Sequence, residues 1–295
     1  MEELLYYPGC SLKDTAIGFE ESAIYASRQL GIELKEMERW NCCGTVYSLT
    51  ADNLMKQLGP VRNLVHAQEE GYEKVYTLCS MCDNTLKRSN RLVKNDPEKL
   101  EKINSFMDRE EDYLGEVTVK HYLELLRDEL GWDAVREPVR EPLKGLNVAP
   151  YYGCMLTRPK EIGLDDPHNP TVLEDFISSL GAEPVDYPYH SECCGSYNTV
   201  EKKDIVLKQA GKITSSAAAA GADLIITSCP LCHYNLDTRQ SEYIRRENSS
   251  KPVPVLYITQ LMAVAYGNSD VCKFDKHAID PREALALENK ALKER

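Results

Sequence analysis

No run of about 18 consecutive apolar residues occurs in this chain of 295, so nothing in it reads as a membrane-spanning helix. The start, Met1-Glu2-Glu3-Leu4-Leu5-Tyr6-Tyr7, lacks the basic opening and the apolar stretch of a signal peptide. The protein is therefore expected to stay in the cytoplasm with no direct membrane insertion, and a membrane role would need a partner that supplies the anchor. Positive charge is short: 35 Lys and Arg stand against 47 Asp and Glu, a net charge of −12. That excludes a nucleic-acid surface, which needs concentrated Lys and Arg, and leaves anionic ligands to find local basic pockets. With 42% hydrophobic and 28% charged residues the composition is that of a soluble globular chain, which excludes global disorder.

What the chain has in excess is cysteine, and ten of its 11 fall into two copies of one pattern. The first copy reads Gly9-Cys10, Cys42-Cys43-Gly44 and Cys79-Ser80-Met81-Cys82. The second reads Gly153-Cys154, Cys193-Cys194-Gly195 and Cys229-Pro230-Leu231-Cys232. Equivalent cysteines lie 144, 151 and 150 positions apart by subtraction. Tyr6-Tyr7-Pro8-Gly9-Cys10 echoes Tyr151-Tyr152-Gly153-Cys154, and Glu69 to Thr77 echoes Ala219 to Thr227 just before each Cys-x-x-Cys. Duplication of about half the chain, with small insertions in the early loops, accounts for both. In a reducing compartment disulfides are rare, so this much cysteine points to metal or redox chemistry.

The apolar pattern predicts a strand from Leu4 to Pro8, a helix capped by Asp14 and running to about Leu30, stopped by Gly31, and a strand from Ile32 to Met37. A helix from about Asn53 to Glu70, stopped by Gly71, and a strand from Lys74 to Leu78 follow. The second half repeats the order: strand Asn147 to Tyr152, helix Thr171 to Leu180, strand Glu183 to Tyr187, helix Glu201 to Ala220, strand Asp223 to Thr227. The fold class is thus α/β, two similar Rossmann-like α/β domains related by a pseudo-twofold. Each cysteine group sits at the carboxyl ends of strands, where open α/β sheets bind ligands. Gly131 to Gly145 carries Pro138 and Pro142 among charges and reads as an extended linker, which divides the chain into residues 1–140 and 141–295. The tail from Asn268, with a short helix from Pro281, reads as peripheral to both cores.

A structural zinc site takes four ligands and a cubane cluster four thiolates, whereas each half here offers five. Neighbouring cysteines diverge on an extended backbone, so a vicinal pair reaches two metal atoms more readily than it closes on one. The fifth thiolate then bridges metals or serves an irregular cluster. Soft thiolates select iron-sulfur or zinc. A helix opening after Cys79 or Cys229 aims free N–H groups at an anionic cluster, and Gly44 and Gly195 let the backbone pass close to inorganic sulfur. Spacing alone leaves structural zinc in one or both halves open, as well as plain burial of small residues. Cys229 to His233 matches the haem string Cys-x-x-Cys-His, yet haem attachment requires export, and Asp83 stands where the first copy would need the histidine. A thioredoxin-like role for the same string is weakened by the three further cysteines at fixed offsets. Cys272, outside both copies, reads as an ordinary thiol.

On these two motifs the chain resembles the CCG cysteine-rich domain family, in the branch of the B-type subunits of heterodisulfide reductase, over nearly its whole length. The resemblance implies two non-cubane 4Fe-4S clusters. One would be held by Cys10, Cys42, Cys43, Cys79 and Cys82 and the other by Cys154, Cys193, Cys194, Cys229 and Cys232, with zinc in one site as the alternative. It further implies a disulfide reductase of methanogenesis that converts the coenzyme M-coenzyme B heterodisulfide to two thiols between facing clusters. Electrons would come through a C-type subunit with cubane clusters from a flavin-containing A-type subunit. Two one-electron centres flanking an S–S bond can each take one sulfur, which avoids a free thiyl radical. The alternative is a CCG-type electron-transfer subunit of a hydroxy-acid (lactate or glycolate), glycerol-phosphate or succinate-oxidising complex. Relatives of that kind are often fused to a domain with a dense Cys-x-x-Cys-x-x-Cys run, which is absent here. Lys13, Arg88, Arg158, Lys160 and Arg239 are the candidate cations for the substrate's sulfonate, carboxylate and phosphate groups. His190, His233 and His277 are the candidate proton donors.

Overall fold

The structure, a computed structural model, describes residues 1–45, 54–247 and 251–286. Among these residues two all-parallel sheets of four strands form, one from each half. The first contains β1 (Glu2–Tyr7), β2 (Ile32–Glu36), β3 (Lys74–Thr77) and β4 (Thr118–His121) in the order β2-β1-β3-β4. The second contains β5 (Asn147–Pro150), β6 (Glu183–Pro184), β7 (Leu224–Thr227) and β8 (Val255–Tyr257) in the order β6-β5-β7-β8. Parallel strands covered on both faces read as unbroken apolar runs, and both Leu4-Leu5-Tyr6-Tyr7 and Leu224-Ile225-Ile226-Thr227 are buried throughout. The register is matched in the two sheets: Tyr6 pairs with Tyr76 and Val75 with Val119, as Ile225 pairs with Val255.

The helices are α1 (Ile17–Gln29), α2 (Leu58–Glu69), α3 (Ser80–Lys94), α4 (Pro97–Phe106), α5 (Tyr122–Glu124), α6 (Trp132–Arg136), α7 (Val172–Ser179), α8 (Lys203–Ala219), α9 (Pro230–Glu247) and α10 (Ile258–Ala265). Gly31 and Gly71, at φ 77° and 80°, stop α1 and α2 as the sequence predicts, because a left-handed residue ends a helix at no steric cost. Three expectations change. Asp14 does not cap α1, whose N-cap is Ala16 without a side-chain bond. The helix expected from Asn53 is a 3-10 turn over Leu54–Gln57 that leads into α2, while Asn53 itself lies outside the described residues. Strands β4 and β8 add to the expected set, as short edge strands that follow irregular segments.

The two sheets do not have separate interiors. Helix α1 of the first half packs on α10 of the second, with Phe19 stacked on Tyr257 at 4.2 Å between ring centroids and 3° between planes. Beside them Ser22 Oγ and Thr259 Oγ1 share a hydrogen bond at 2.6 Å, and Thr259 also donates to the Phe19 carbonyl at 2.9 Å. One apolar cluster joins Leu4, Tyr6 and Phe19 to Val148, Leu256 and Leu261, and the other joins Leu5, Tyr7 and Val75 to Ala149, Ile225 and Val255.

The segment expected as an extended linker also belongs to this interior. It opens with α6, whose Val135 is fully buried and receives the Tyr266 hydroxyl at 2.8 Å on its carbonyl. Arg140 and Glu141 then donate their N–H groups to the Ala265 carbonyl at the end of α10. The tail is likewise not peripheral. Cys272 and Phe274, apolar residues among polar neighbours, are buried in the shared core, and from Pro281 to Ala286 the chain forms turns rather than a helix.

Because the interior is shared, we expect Phe19→Ala to cost about 3–5 kcal/mol, the usual loss for a buried Phe. Denaturant unfolding followed by Trp40 and Trp132 fluorescence and by far-ultraviolet dichroism should then give one transition for both sheets. Two separated transitions would show that the halves are independent.

Candidate metal centres at the seam of the two sheets

Each cysteine group is placed by the ends of strands. Strand β1 delivers Cys10 through Pro8-Gly9, and β3 delivers Cys79, which is the N-cap residue of α3 in an extended conformation. Cys82 follows in the first turn of that helix. Strands β5 and β7 and helix α9 do the same for Cys154, Cys229 and Cys232.

The thiols of each half gather into one group, all of them free. Cys10 Sγ lies 3.9 Å from Cys42 Sγ and Cys43 Sγ lies 3.4 Å from Cys82 Sγ in the first half. Cys194 Sγ lies 3.5 Å from Cys232 Sγ in the second. The remaining cysteines act electrostatically on these, and Cys79 and Cys229 act on one another across the seam. The seam is locked beside Cys79 and Cys229, where Ser80 N–H donates to the Ser228 carbonyl at 3.0 Å and the two serine hydroxyls lie 2.8 Å apart.

Cys154 and Cys193 are half-buried, Cys10 and Cys42 are exposed, and the other motif cysteines are buried. Packed this closely, the thiols perturb one another. Donation by Cys42 draws Cys43 well below the ordinary thiol range, and donation by Cys154 does the same to Cys193. Cys82 and Cys232, hydrogen-bonded to Cys43 and Cys194, are pushed well up.

All-sulfur sets of five per half exceed the needs of tetrahedral zinc and suit polynuclear iron-sulfur centres, so the residues fit the group that the motif implies. Each set is braced by a tyrosine from the strand before its first cysteine: Tyr7 donates to the Asn41 carbonyl at 2.9 Å, and Tyr151 to the Glu192 carbonyl at 2.7 Å. Burial raises both phenols far above the ordinary range, so they stay protonated donors. Two further glycines lie against cysteine sulfur. A Cβ on Gly9 (φ 71°) would sit 3.2 Å from Cys82 Sγ, and one on Gly153 (φ 63°) would sit 3.5 Å from Cys232 Sγ. Gly44 and Gly195 face Pro60 and Val206.

The predicted cations fall into different surroundings. Lys13 is taken up by Glu20, at 2.7 Å, and by Glu36. Arg158 donates to the backbone carbonyls of Ser191 and Pro167 at 2.9 and 2.8 Å, which ties down the loops around Cys154 and Cys193. Arg239 lies over the Tyr234 ring and donates to its hydroxyl at 3.2 Å. Lys160 is exposed. Arg88, on α3 of the first half, has no ion-pair partner among the described residues. Its charge acts on Tyr197, an exposed residue of the second half on which Cys154, Cys193 and Cys229 also act, so a first-half arginine lies within electrostatic range of the second-half site.

The histidines are more constrained than the sequence suggested. His190 accepts the N–H groups of Tyr152 and Gly153 on its carbonyl, so its backbone holds the Cys154 loop, and burial lowers its half-buried ring. His233, beside Cys232, spends Nε2–H on the Val255 carbonyl at 2.9 Å and stacks on Tyr257. His277 meets His233 edge-on at 4.7 Å, and burial lowers it to about 4.

His233, His277 and Asp237 bring ligand-type atoms within 4.8 Å of one another. The Gln260 amide is fixed, however, by accepting from Tyr257 N–H at 2.8 Å and donating to the Cys272 carbonyl at 2.6 Å. Its N–H therefore points at His277 Nε2, 2.9 Å away, and keeps the His277 proton on Nδ1. Asp237 in turn accepts Ala278 and Ile279 N–H, with burial raising its carboxyl to about 6. The group is a hydrogen-bonded wall that anchors the tail rather than a cation site.

Sequence reasoning missed the bracing tyrosines, although the echoed Tyr-Tyr-Pro-Gly-Cys and Tyr-Tyr-Gly-Cys runs carried their signal. It also missed Ser80 and Ser228, and Asn235, which has Thr85 at its place in the first copy and so left no trace in the repeat.

The profile of the CCG cysteine-rich domain matches residues 4–87 and 148–237. The chain is 32% identical over 268 residues, 90% of its length and 93% of the other, to the 8-methylmenaquinol:fumarate reductase membrane anchor subunit of Wolinella succinogenes. It is 29% identical over 294 residues, 97% of each chain, to the B-type subunit of the ferredoxin/F(420)H(2)-dependent CoB-CoM heterodisulfide reductase of Methanosarcina acetivorans. In fold it is similar to the crystal structure of a hypothetical protein from Helicobacter pylori, with a TM-score of 0.76 at 13% identity over 94% of this chain and 52% of that one. Among the described residues no helix is long and apolar enough to cross a membrane.

Gly9→Ala is expected to remove the metal of the first half while leaving the second loaded, because both the positive φ and the 3.2 Å approach to Cys82 Sγ oppose a side chain. Iron and acid-labile sulfide per chain, measured after anaerobic purification, should fall to roughly half the parent values. Unchanged contents would show that the glycine does not make room for the sulfur set.

Proposed function

The chain belongs to the CCG cysteine-rich domain family, and from that premise we propose that it is the disulfide-cleaving subunit of an oxidoreductase complex. Its substrate in this reading is the coenzyme M-coenzyme B heterodisulfide, and its ten motif cysteines hold two non-cubane 4Fe-4S clusters. The observation that carries the reading is the seam, where Ser80 and Ser228 bond one another and so set the neighbouring Cys79 and Cys229, one from each five-sulfur site, side by side. Two adjoining one-electron sites match a reaction that takes two electrons and two protons and releases two thiols. When bound, the clusters supply those two electrons.

The residues of the chain do the rest. Arg88 offers its guanidinium to an anionic group of the substrate at the edge of the second site. Arg158, through its bonds to Ser191 and Pro167, positions the Cys154 and Cys193 loops. Of the three histidines, His190 is the one left to pass protons, because His233 is buried with its Nε2–H on the Val255 carbonyl and His277 Nε2 is taken by the Gln260 amide. The domain division at residues 140 and 141 is retained as a division of sequence, one motif on each side. The partners are a C-type subunit with cubane clusters and a flavin-containing A-type subunit, since the relatives are themselves named as subunits of reductases.

A second reading is favoured by one observation, the 32% identity to a subunit named for a quinol:fumarate reductase. There the two adjoining sulfur sites would relay electrons without cutting a disulfide. Supplying reduced benzyl viologen and the heterodisulfide to the anaerobic protein separates the two, because the first reading requires two thiols per disulfide consumed. Cys193→Ala should abolish that release together with the iron of the second half. Turnover that survives the loss of that iron would overturn the proposal. Arg88→Ala should raise KM about tenfold with kcat little changed, the mark of a lost charge-assisted contact made equally in ground and transition states.

A further inference from the structure

The two sulfur sites are copies by sequence, but a side-chain hydrogen bond to sulfur sets the second apart. In the second half the fully buried Asn235 directs its amide Nδ2 at Cys194 Sγ, 3.4 Å away. The orientation of the amide is fixed, because Asn235 Oδ1 accepts the hydroxyl of Thr199 at 3.2 Å, just beyond the turn Ser196–Asn198. Reversing the amide would set N–H against O–H at one end and carbonyl oxygen against sulfur at the other.

In the first half the residue three after the second motif cysteine is Thr85, also fully buried. A threonine has a single hydrogen to give, and this one lies 2.8 Å from the Met81 carbonyl and 3.2 Å from Thr45 Oγ1. Among the described residues no side-chain N–H reaches Cys43, the counterpart of Cys194; the Thr45 backbone N–H serves Cys43, as the Gly195 N–H serves Cys193 at 3.3 Å in the second half, so the Asn235 amide is the donor that the second site adds.

We infer that Asn235 is a tuning residue, whose N–H bond to Cys194 holds the second sulfur site at a higher reduction potential than the first. The inference rests on the reading that both sites hold iron-sulfur clusters. An electron added to such a centre spreads onto its thiolates, and an N–H dipole aimed at one of them favours the reduced state. Burial strengthens the effect, because the surroundings of Asn235 and Cys194 screen little. Electrons entering the unit therefore settle on the second site, within range of the Arg88 charge, rather than dividing evenly between equivalent halves. Asn235 acts through its cysteine and touches no reacting atom, so it positions and does not catalyse.

Asn235→Leu keeps the volume and burial but removes the N–H. In an anaerobic redox titration followed by electron paramagnetic resonance, the oxidised-to-reduced ratio of one site at fixed potential should rise about three- to tenfold, a tenfold change being 59 mV for one electron. Thr85→Asn should move the other site the opposite way by a similar factor. Iron and sulfide at parental levels establish that both sites are loaded, so a shift cannot come from a lost cluster. A loaded Asn235→Leu protein with unchanged potentials overturns the inference. Should that variant lose iron from the second half, Thr85→Asn decides, and an unmoved first-site potential overturns it equally. Absence of iron from the parent protein would instead refute the cluster reading beneath it.

Discussion

The contact between the two Cys-x-x-Cys loops is the constraint on which the rest of the structure depends. Strands β3 and β7 end side by side, so that Ser80 and Ser228 bond one another and bring Cys79 beside Cys229. Sulfur can be brought that close only if the helices that follow, α3 and α9, start from the same seam. That in turn requires the flanking elements to cross between the halves, as α1 does on α10 through Phe19 and Tyr257. A shared interior is the structural cost of a shared sulfur unit: had the halves kept separate cores, their clusters would have been held apart by two layers of side chains. This also explains why so short a stretch as Thr77 to Cys82 can set the geometry of the whole site.

Much of this was legible in the sequence, and the reasons differ by element. Strand and helix order followed from unbroken apolar runs and from glycines at helix ends, which are local signals. The grouping of the cysteines followed from the doubled spacing, which both matched halves carry. The fourth strand of each sheet was not legible, since Thr118 to His121 and Val255 to Tyr257 are too short to show a period. The linker and tail were misread because composition reports polarity on average, while a few residues decide burial. Val135, Cys272 and Phe274 hold their segments in the core despite charged neighbours. The seam itself leaves no mark in a one-dimensional pattern, because Ser80 and Ser228 are ordinary serines until two strand ends converge.

The surroundings of the two sites have diverged more than the sites. Three sequence positions after the first-half seam, α3 carries Asp83 and then Lys87, which bonds Asp83 at 3.0 Å and Glu124 at 2.5 Å. Burial raises Asp83 to about 7 even with that ammonium beside it, so the charge there is closely balanced. On α9 the same places hold His233 and Asp237, and Gln260 stands for Glu124, with the imidazoles kept neutral by burial. The first half thus backs its sulfur with a buried ionic cluster, and the second with neutral rings.

These differences bear on what duplication can achieve. Two identical sites would offer an electron no preferred place, and a two-electron reaction would depend on both happening to be reduced together. An asymmetric pair would accept electrons in a defined order, with the two sites still adjoining at the Ser80–Ser228 seam. The asymmetry cannot come from the cysteines, whose pattern recurs in both halves. It has to come from residues that touch a cysteine without being one, and from side chains such as Arg88 whose charge reaches from one half to the other's site. The repeat therefore keeps the ligands and varies their neighbours, which is the arrangement expected where one template must supply two different redox environments in one interior.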